Sequence, residues 1–168
     1  MGVAQDTPVA GDFEAFYARF RDPVLRAVFV ASGDKEAAED ATAEAFVRAC
    51  AKWRRVRKHP APVAWVITTA LNVIRSGKRR RRREEERGVP VTEEQAHNEP
   101  FDPCLLALVR ELPVRQRQVL ALRVLLDLST EQTADALGIA AGTVTAHLHR
   151  ALESLRTQLQ DRTEEVEQ

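Results

Sequence analysis

Five side chains between residues 65 and 79 have the types and spacing of a nucleic-acid-binding row. Trp65, Thr68, Asn72, Arg75 and Arg79 recur at steps of three or four residues, so a helix would place them in one line. The tryptophan can stack, the threonine and asparagine can hydrogen-bond, and the arginines can neutralise phosphate. Aromatic faces beside a cationic track bind single-stranded nucleic acid, with about 1–3 kcal/mol from each stacked base. This set, the Trp65 row, predicts contact with unpaired bases, although a tryptophan of the core beside a solvated face would produce the same spacing.

The distribution of charge along the chain indicates an anionic partner. The net charge of the 168 residues is zero, yet residues 1–44 carry four basic and nine acidic groups, and residues 84–111 carry two and eight. Between them, residues 45–83 contain no acidic group. Such a segment repels itself until an anion neutralises it, and a phosphate backbone is the commonest such partner. Its thirteen basic residues are Arg48, Lys52, Arg54, Arg55, Arg57, Lys58, Arg75, Lys78 and Arg79 through Arg83.

The first half of the chain has the periodicity of packed helices. An aromatic face predicts a first helix from Asp12, and Pro23 is expected to open a second. A third helix is predicted from Lys35 to Trp53, with a stripe of alanines for close packing. A fourth, from Val63 to Arg75, carries the Trp65 row opposite its buried face. The expected alanine stripe is Ala38, Ala41, Ala45 and Ala49, and the expected buried face of the fourth helix is Val63, Ile67, Ala70 and Ile74.

A second candidate site follows near the end of the chain. Ser129 and Gln132 have the spacing of a capping box that begins a short helix, and Gly138 supplies a turn before a longer one. A short helix, a glycine turn and a longer helix are typical of a helix-turn-helix, whose second helix enters the major groove. A plain antiparallel helix pair has a similar pattern. The longer helix is expected to bury Val144, Leu148, Leu152, Leu155 and Leu159 and to present Thr143, Thr145, Ala146, His147 and Arg150.

These patterns predict an all-α protein of two small helical domains joined by a flexible linker, the second domain ending in the helix-turn-helix. The expected boundaries are a disordered start (1–11), a helical domain (12–83), an acidic linker (84–102), a second domain (103–160) and a disordered acidic tail (161–168). No apolar run or leader pattern indicates a membrane span or a signal peptide, so we interpret the chain as cytoplasmic.

The sequence gives no sign of catalysis, a metal or a cofactor. It contains no Ser/His/Asp set, no glycine-rich phosphate loop and no paired carboxylates with an evident pocket. His147 and His149 are two residues apart, which turns them away from each other on a helix. Cys50 and Cys104 lie in apolar contexts, and we expect both to be buried structural thiols.

Three stretches together resemble the extracytoplasmic-function sigma factors of the sigma-70 family. The first two are DKEAAEDATAEAFVRACAKW from Asp34 and AWVITTALNVIRSGKRRRRR from Ala64. The third runs from Leu112 and Pro113 through Leu155 and includes LSTEQTADALGIAAGTVTAHLHRALESL. The resemblance implies a non-enzymatic initiation factor that binds core RNA polymerase and promoter DNA, duplex and single-stranded, with an anti-sigma factor as a further possible partner. It implies no cofactor and no membrane partner.

The resemblance also assigns roles to positions of this chain. Glu39, Asp40 and Glu44 would face the polymerase, and Thr143, Thr145, Ala146, His147 and Arg150 would read the −35 element. The −10 element would be read by Arg54, Arg55, Arg57, Lys58, Trp65, Thr68, Asn72, Arg75, Lys78 and Arg79. Some positions depart from the family pattern: Ala43 is often glutamine, and Ala140 replaces the usual serine or threonine cap, at a cost of about 1 kcal/mol.

Two other interpretations remain at this stage. A stand-alone helix-turn-helix regulator explains residues 103–160 but leaves the Trp65 row and the acidic third helix without a role. A protein-interaction adaptor or a membrane-surface binder could use the basic run Lys78–Arg83, although no apolar anchor adjoins it.

Overall fold

The computed structural model describes residues 13–87 and 103–166, and every regular element in these two ranges is a helix, as expected. The disordered start, most of the linker and the last two residues of the tail, all sequence-based predictions, lie outside the described residues. The first range contains α1 (Phe13–Ser32), α2 (Lys35–Ala51), α3 (Trp53–Val56) and α4 (Pro62–Glu86). The second contains α5 (Pro103–Glu111), α6 (Val114–Leu120), a π-helical turn (Ala121–Leu125), α7 (Thr130–Leu137) and α8 (Ala141–Val166).

Helix α1 is a single helix that continues through Pro23, so the prediction of two helices divided at this proline was wrong. A proline inside a helix removes one backbone hydrogen bond and costs about 3 kcal/mol. Phe16, Phe20, Val24 and Ala27 are nonetheless buried at regular spacing on both sides of it. Burial of this continuous face offsets the local cost, because each large apolar side chain contributes about 1.5–3 kcal/mol.

Helix α2 begins with a side-chain cap and packs through small residues. The Asp34 carboxylate accepts a hydrogen bond from the Ala37 N–H at 3.0 Å. The predicted alanine stripe is buried, with exposed fractions of 1% or less, and α2 packs against both α1 and α4. Because alanine side chains are short, the three helices can approach closely, which fixes the orientation of α4 and hence of the Trp65 row.

The two halves of the chain pack against each other. Helix α1 contacts α5, α6 and the π-helical turn, and α4 contacts α7. Buried apolar residues form one continuous cluster that includes Phe16 in the first half and Ala151 in the second. The guanidinium carbon of Arg110 also lies 5.8 Å from the ring centroid of Phe29. The two halves predicted from sequence therefore share one apolar core in this arrangement.

Helices α7 and α8 form the expected helix-turn-helix. The Ser129 hydroxyl accepts a hydrogen bond from the Gln132 N–H at 3.0 Å, and the Ser129 N–H donates to Gln132 Oε1 at 2.9 Å. Gly138 has a φ of 64°, a left-handed value that glycine adopts at little cost. Residues 161–166, assigned to the tail by the sequence, continue α8.

The buried face of α8 is shorter than its periodicity predicts. Val144 and Ala151 are fully buried, but Leu152 and Leu159 are 46% and 47% exposed, so the expectation of their burial was wrong. Helix α8 has 26 residues, whereas α7 has eight and α6 seven. Its C-terminal half carries an apolar pattern that these shorter helices do not cover.

Both cysteines are exposed, which corrects the expectation of buried thiols. Cys50 lies next to the alanine stripe in sequence, but on the exposed side of α2. Cys104 is in the first turn of α5, where its sulfur lies 3.0 Å from Arg162 Nη1. Apolar neighbours in the sequence were therefore not sufficient evidence that either cysteine lies in the core.

Replacing Ala140 with serine is expected to raise the free energy of unfolding by about 1 kcal/mol. The Ala140 carbonyl accepts hydrogen bonds from the N–H groups of Thr143 (2.9 Å) and Val144 (3.1 Å), as a helix N-cap does. The methyl side chain of Ala140 cannot accept a hydrogen bond from a backbone N–H in the first turn of α8, whereas a serine hydroxyl can. Urea denaturation measures the change, and the control is Ala43→Ser, a substitution at an exposed position in the middle of α2. Equal stability of the two variants would contradict the capping role.

Candidate nucleic-acid interface

The Trp65 row lies along one side of α4. Pro62 occupies the first turn of α4. A backbone N–H at this position has no hydrogen-bond partner within the helix, so proline, which lacks this group, is well tolerated. Ala64, Ile67 and Leu71 anchor the opposite side in the core. Trp65 and Thr68 are half-buried, whereas Asn72, Arg75 and Arg79 are exposed. The structure therefore brings the five residues together as expected, with an aromatic and hydroxyl end near the core and a cationic end in solvent.

The buried face that holds the row differs in detail from the prediction. Ile67 and Ala70 are buried as expected, but Val63 and Ile74 are only half-buried. Ala64, Val66 and Leu71 complete the buried set. Both α2 and α1 pack on α4, so its buried surface is wider than one stripe.

Basic residues precede the row in a short structured connection. The sequence predicts a short basic loop from Arg54 to Pro62, but residues 54–56 belong to the helix α3. Arg54, Arg55 and Lys58 are exposed and Arg57 is half-buried. His59 Nδ1 lies 2.9 Å from the Ala61 carbonyl oxygen and 3.0 Å from the Ala61 nitrogen, so the imidazole closes the turn into α4. The four cations therefore lie on an ordered connection that leads directly to Trp65.

The basic run after the row is helical. Lys78 and Arg79 through Arg83 are exposed on the part of α4 beyond Leu71, its last fully buried residue. Residues 84–86, which the sequence assigned to the linker, form the last turn of the same helix. Glu84 lies 3.8 Å from Arg80 Nε, and Glu86 lies 3.2 Å from Arg82 Nε. Exposed pairs of this kind contribute about 0.3–0.5 kcal/mol each, so solvated phosphate can displace them.

A groove of about 410 Å³ runs between α4 and α7 beside the Trp65 row. The α4 wall includes Trp65, Thr68 and Asn72, and the α7 wall consists of Gln132, Asp135 and Ala136. The Thr68 hydroxyl lies 2.7 Å from the Ala64 carbonyl oxygen and 3.4 Å from that of Ala136. Sequence reasoning missed the α7 wall, because no local pattern indicates that two halves of a chain will pack together.

The second candidate site lies on the first turns of α8. Thr143, Thr145, Ala146 and Arg150 are exposed, as a helix that enters a groove requires. His147 is half-buried, and its Nδ1 atom is buried without a hydrogen-bond partner among the described residues. Only part of the His147 ring is therefore available to a ligand. His149 points outward, with Nε2 3.5 Å from Glu153.

A third surface is formed by the acidic side of α2. Glu39, Asp40 and Glu44 are all exposed on this helix. Glu44 pairs with Arg48 at 2.7 Å, and both side chains are about half exposed. Val47 lies on the same helix with 65% of its surface exposed, and sequence reasoning did not identify it. This face combines carboxylates with an exposed apolar side chain, a composition suited to a protein partner.

Within residues 13–87 and 103–166 no group of three His, Cys, Asp or Glu side chains could hold a metal ion. No helix in these ranges is long and apolar enough to cross a membrane.

Comparison with known proteins covers both candidate DNA-contact regions. Residues 16–84 match the family Sigma-70 region 2, and residues 103–155 match Sigma-70, region 4. The chain is 31% identical over 157 residues to the RNA polymerase sigma-E factor of Streptomyces coelicolor, which covers 88% of this chain and 86% of that protein. For the sigma-E factor of Streptomyces avermitilis the identity is 32% over 155 residues, covering 90% and 87%.

Two solved structures have a similar fold. One is the sigma factor RpoE in complex with the anti-sigma factor NepR from Bartonella quintana, with a TM-score of 0.76 and 23% identity over 89% of this chain and 97% of that chain. The other is CnrH in complex with the cytosolic domain of CnrY, with a TM-score of 0.60 and 21% identity over 89% and 88%. At these identities the likeness establishes the fold.

Proposed function

Because this chain belongs to the sigma-70 family, as an extracytoplasmic-function RNA polymerase sigma factor, we propose that it directs initiation by binding three partners through three surfaces. The acidic face of α2 binds core RNA polymerase, the first turns of α8 read duplex −35 DNA, and the Trp65 row captures unpaired bases of the −10 element. The observation that carries the proposal is the Trp65 row itself, an aromatic and polar line on α4 that continues into exposed cations.

The physical chemistry of the row supports a role in strand separation. The ring of a half-buried tryptophan is already held in place by its neighbours. Stacking of a base on this ring therefore costs little further side-chain entropy of the protein. Asn72 can hydrogen-bond to base edges, and Arg75 and Arg79 can neutralise the backbone of the same strand. Because the Trp65 row binds unpaired bases and not paired ones, its binding free energy favours the melted form of the −10 element. Melting of this kind requires no catalytic group.

The duplex-reading surface on α8 lies in a part of the chain that carries little net positive charge. Residues 112–160 carry a formal charge of only +1, and Arg150 is the one arginine or lysine among residues 141–150. Electrostatic attraction to duplex DNA is correspondingly weak. We therefore infer that the basic first half of the chain, or the polymerase, supplies most of the affinity, whereas α8 supplies specificity through Thr143, Thr145 and Ala146.

An anti-sigma factor is a further proposed partner. The two solved structures described above are both complexes. In one, the sigma factor RpoE is bound to the anti-sigma factor NepR, and in the other, CnrH is bound to the cytosolic domain of CnrY. The fold shared with them makes the same kind of partner reasonable for this chain.

The purified chain is expected to form a stable complex with bacterial core RNA polymerase and to support promoter-dependent run-off transcription. Size-exclusion chromatography detects the complex, and run-off transcription on genomic promoter fragments detects initiation, with core enzyme alone as the control. Failure to form a complex, combined with retained duplex binding, would contradict the proposal and favour a stand-alone helix-turn-helix regulator.

A further inference from the structure

The first turns of α8 carry few of the side chains that read bases by hydrogen bonds. Residues 141–150 contain no asparagine, glutamine, lysine or carboxylate, and Arg150 is their one arginine. The usual hydrogen-bonded contacts are arginine or lysine on guanine, asparagine or glutamine on adenine, and a carboxylate on cytosine. Recognition of this kind is therefore limited to Arg150, and another feature of the duplex must supply the remaining specificity.

The hydroxyl of Thr145 is turned back towards its own helix. Thr145 is exposed, and its Oγ1 donates a hydrogen bond to the Ala141 carbonyl oxygen at 3.3 Å. A hydroxyl has one proton, so in this conformation Thr145 has no donor left for the O6 or N7 atoms of guanine or the O4 atom of thymine. The groups that it still offers to a base are its methyl group and the lone pairs of the hydroxyl oxygen.

The side chains next to Thr145 are short enough for α8 to approach base edges closely. Gly142 and Ala146 are four residues apart and lie on the same side of the helix. Both residues are exposed, and a Cβ atom added to Gly142 would meet nothing from the neighbouring helices within 4 Å. Methyl groups are therefore the first side-chain atoms that a base edge meets on this part of α8.

We propose that Thr145, with the small Ala146 beside it, recognises thymine through its 5-methyl group, so that the duplex bound by α8 carries thymine opposite this turn. In the major groove thymine is the one base of the four that presents a methyl group, and threonine and alanine methyls are among its usual contacts. This inference rests on the proposed function, because it names the base that the duplex-reading surface selects. Contact between methyl groups requires no charge, which agrees with the low net charge of this part of the chain.

The hydrogen-bonding groups nearby do not distinguish thymine from guanine. His147 is half-buried with its Nδ1 atom out of reach, and His149 Nε2 lies 3.5 Å from Glu153. A donor from either histidine could bond to the O4 atom of thymine or to the O6 atom of guanine. The methyl group is therefore the feature that separates the two bases on this surface.

Replacement of thymine with deoxyuridine tests the inference, because it removes the 5-methyl group and leaves base pairing unchanged. The complex of the full chain with core RNA polymerase first selects its preferred duplexes from a pool with a randomised −35 segment. A selected duplex is then remade with deoxyuridine at one thymine at a time, and its binding is measured by fluorescence anisotropy. At the thymine opposite Thr145 the affinity is expected to fall about fourfold, the effect of one buried methyl group.

Two substitutions of the same residue assign the effect to Thr145. Thr145→Ser keeps the hydroxyl and removes the methyl group, so it is expected to bind the thymine and deoxyuridine duplexes equally at that position. Thr145→Val keeps a methyl group and removes the hydroxyl, so it is expected to retain the difference of about fourfold. Arg150→Gln is the matched control, because it is expected to weaken binding to both duplexes without changing their ratio. Circular dichroism melting verifies that each variant is folded.

The outcomes separate this inference from the proposed function. A selected duplex that contains no thymine in the randomised segment, or that tolerates deoxyuridine at every position, would overturn methyl recognition alone. Full sensitivity at every thymine in Thr145→Ser would also overturn it, as would loss of the thymine preference in Thr145→Val. Failure of the complex to form, or to select any duplex, would overturn the proposed function first and this inference with it.

Discussion

Replacing Trp65 with alanine is expected to reduce promoter opening by about tenfold to a hundredfold while leaving the complex with core RNA polymerase intact. The substitution removes the aromatic face on which a base would stack, worth about 1–3 kcal/mol, and about 1.4 kcal/mol corresponds to a factor of ten. The measurements are run-off transcription and the fluorescence of 2-aminopurine placed in the −10 element, with size-exclusion chromatography for the complex.

Trp65→Phe is the matched control, because Trp65 also packs against the core. Phenylalanine retains a stacking face and most of the apolar contact, so opening is expected to remain close to that of the original chain. Circular dichroism melting of both variants distinguishes loss of stacking from loss of folding. Equal opening by a folded Trp65→Ala variant and by Trp65→Phe would remove Trp65 from the proposed mechanism.

Reversing the charges of Glu39, Asp40 and Glu44 to lysine is expected to weaken binding to core RNA polymerase by a hundredfold or more. Placing like charges across an interface costs several kcal/mol, and every 1.4 kcal/mol is a factor of ten. The three side chains are exposed, and the ion pair between Glu44 and Arg48 contributes little to folding. The expected result is therefore a folded chain that no longer binds the polymerase, measured by competition with a labelled chain.

A triple variant elsewhere provides the control for net charge. Glu111→Lys, Glu153→Lys and Asp161→Lys change the total charge by the same amount at exposed positions of the second half. Polymerase binding is expected to persist in this variant. Equal losses in the two triple variants would mean that overall charge, rather than the acidic face of α2, determines binding.

Features encoded within one or two helical turns were predictable from the sequence. Ser129 and Gln132 form their capping box because both partners lie in the same turn. The Trp65 row forms because residues three or four apart share a helix face in almost any tertiary context. These local rules were sufficient for the all-α class and for the position of the row on α4.

Features that depend on distant packing were not predictable in this way. Pro23 was expected to divide α1, but the proline is accommodated because residues on both sides of it are buried together. Thr68 and Ala136 are 68 positions apart, and nothing near either residue indicates their contact. The exposure of Cys50 likewise depends on which side of α2 faces its neighbours.

The helical state of the basic run changes how its charges can be used. Successive residues of an α-helix are rotated by about 100°, so five consecutive arginines are distributed around the whole circumference. Arg79 through Arg83 lie within α4, and so no single phosphate backbone can meet all five. From Leu71 to Glu86 the helix extends for about 22 Å at 1.5 Å per residue, as a rod rather than a pliable strap. The cations of this rod therefore project in several directions from one rigid axis.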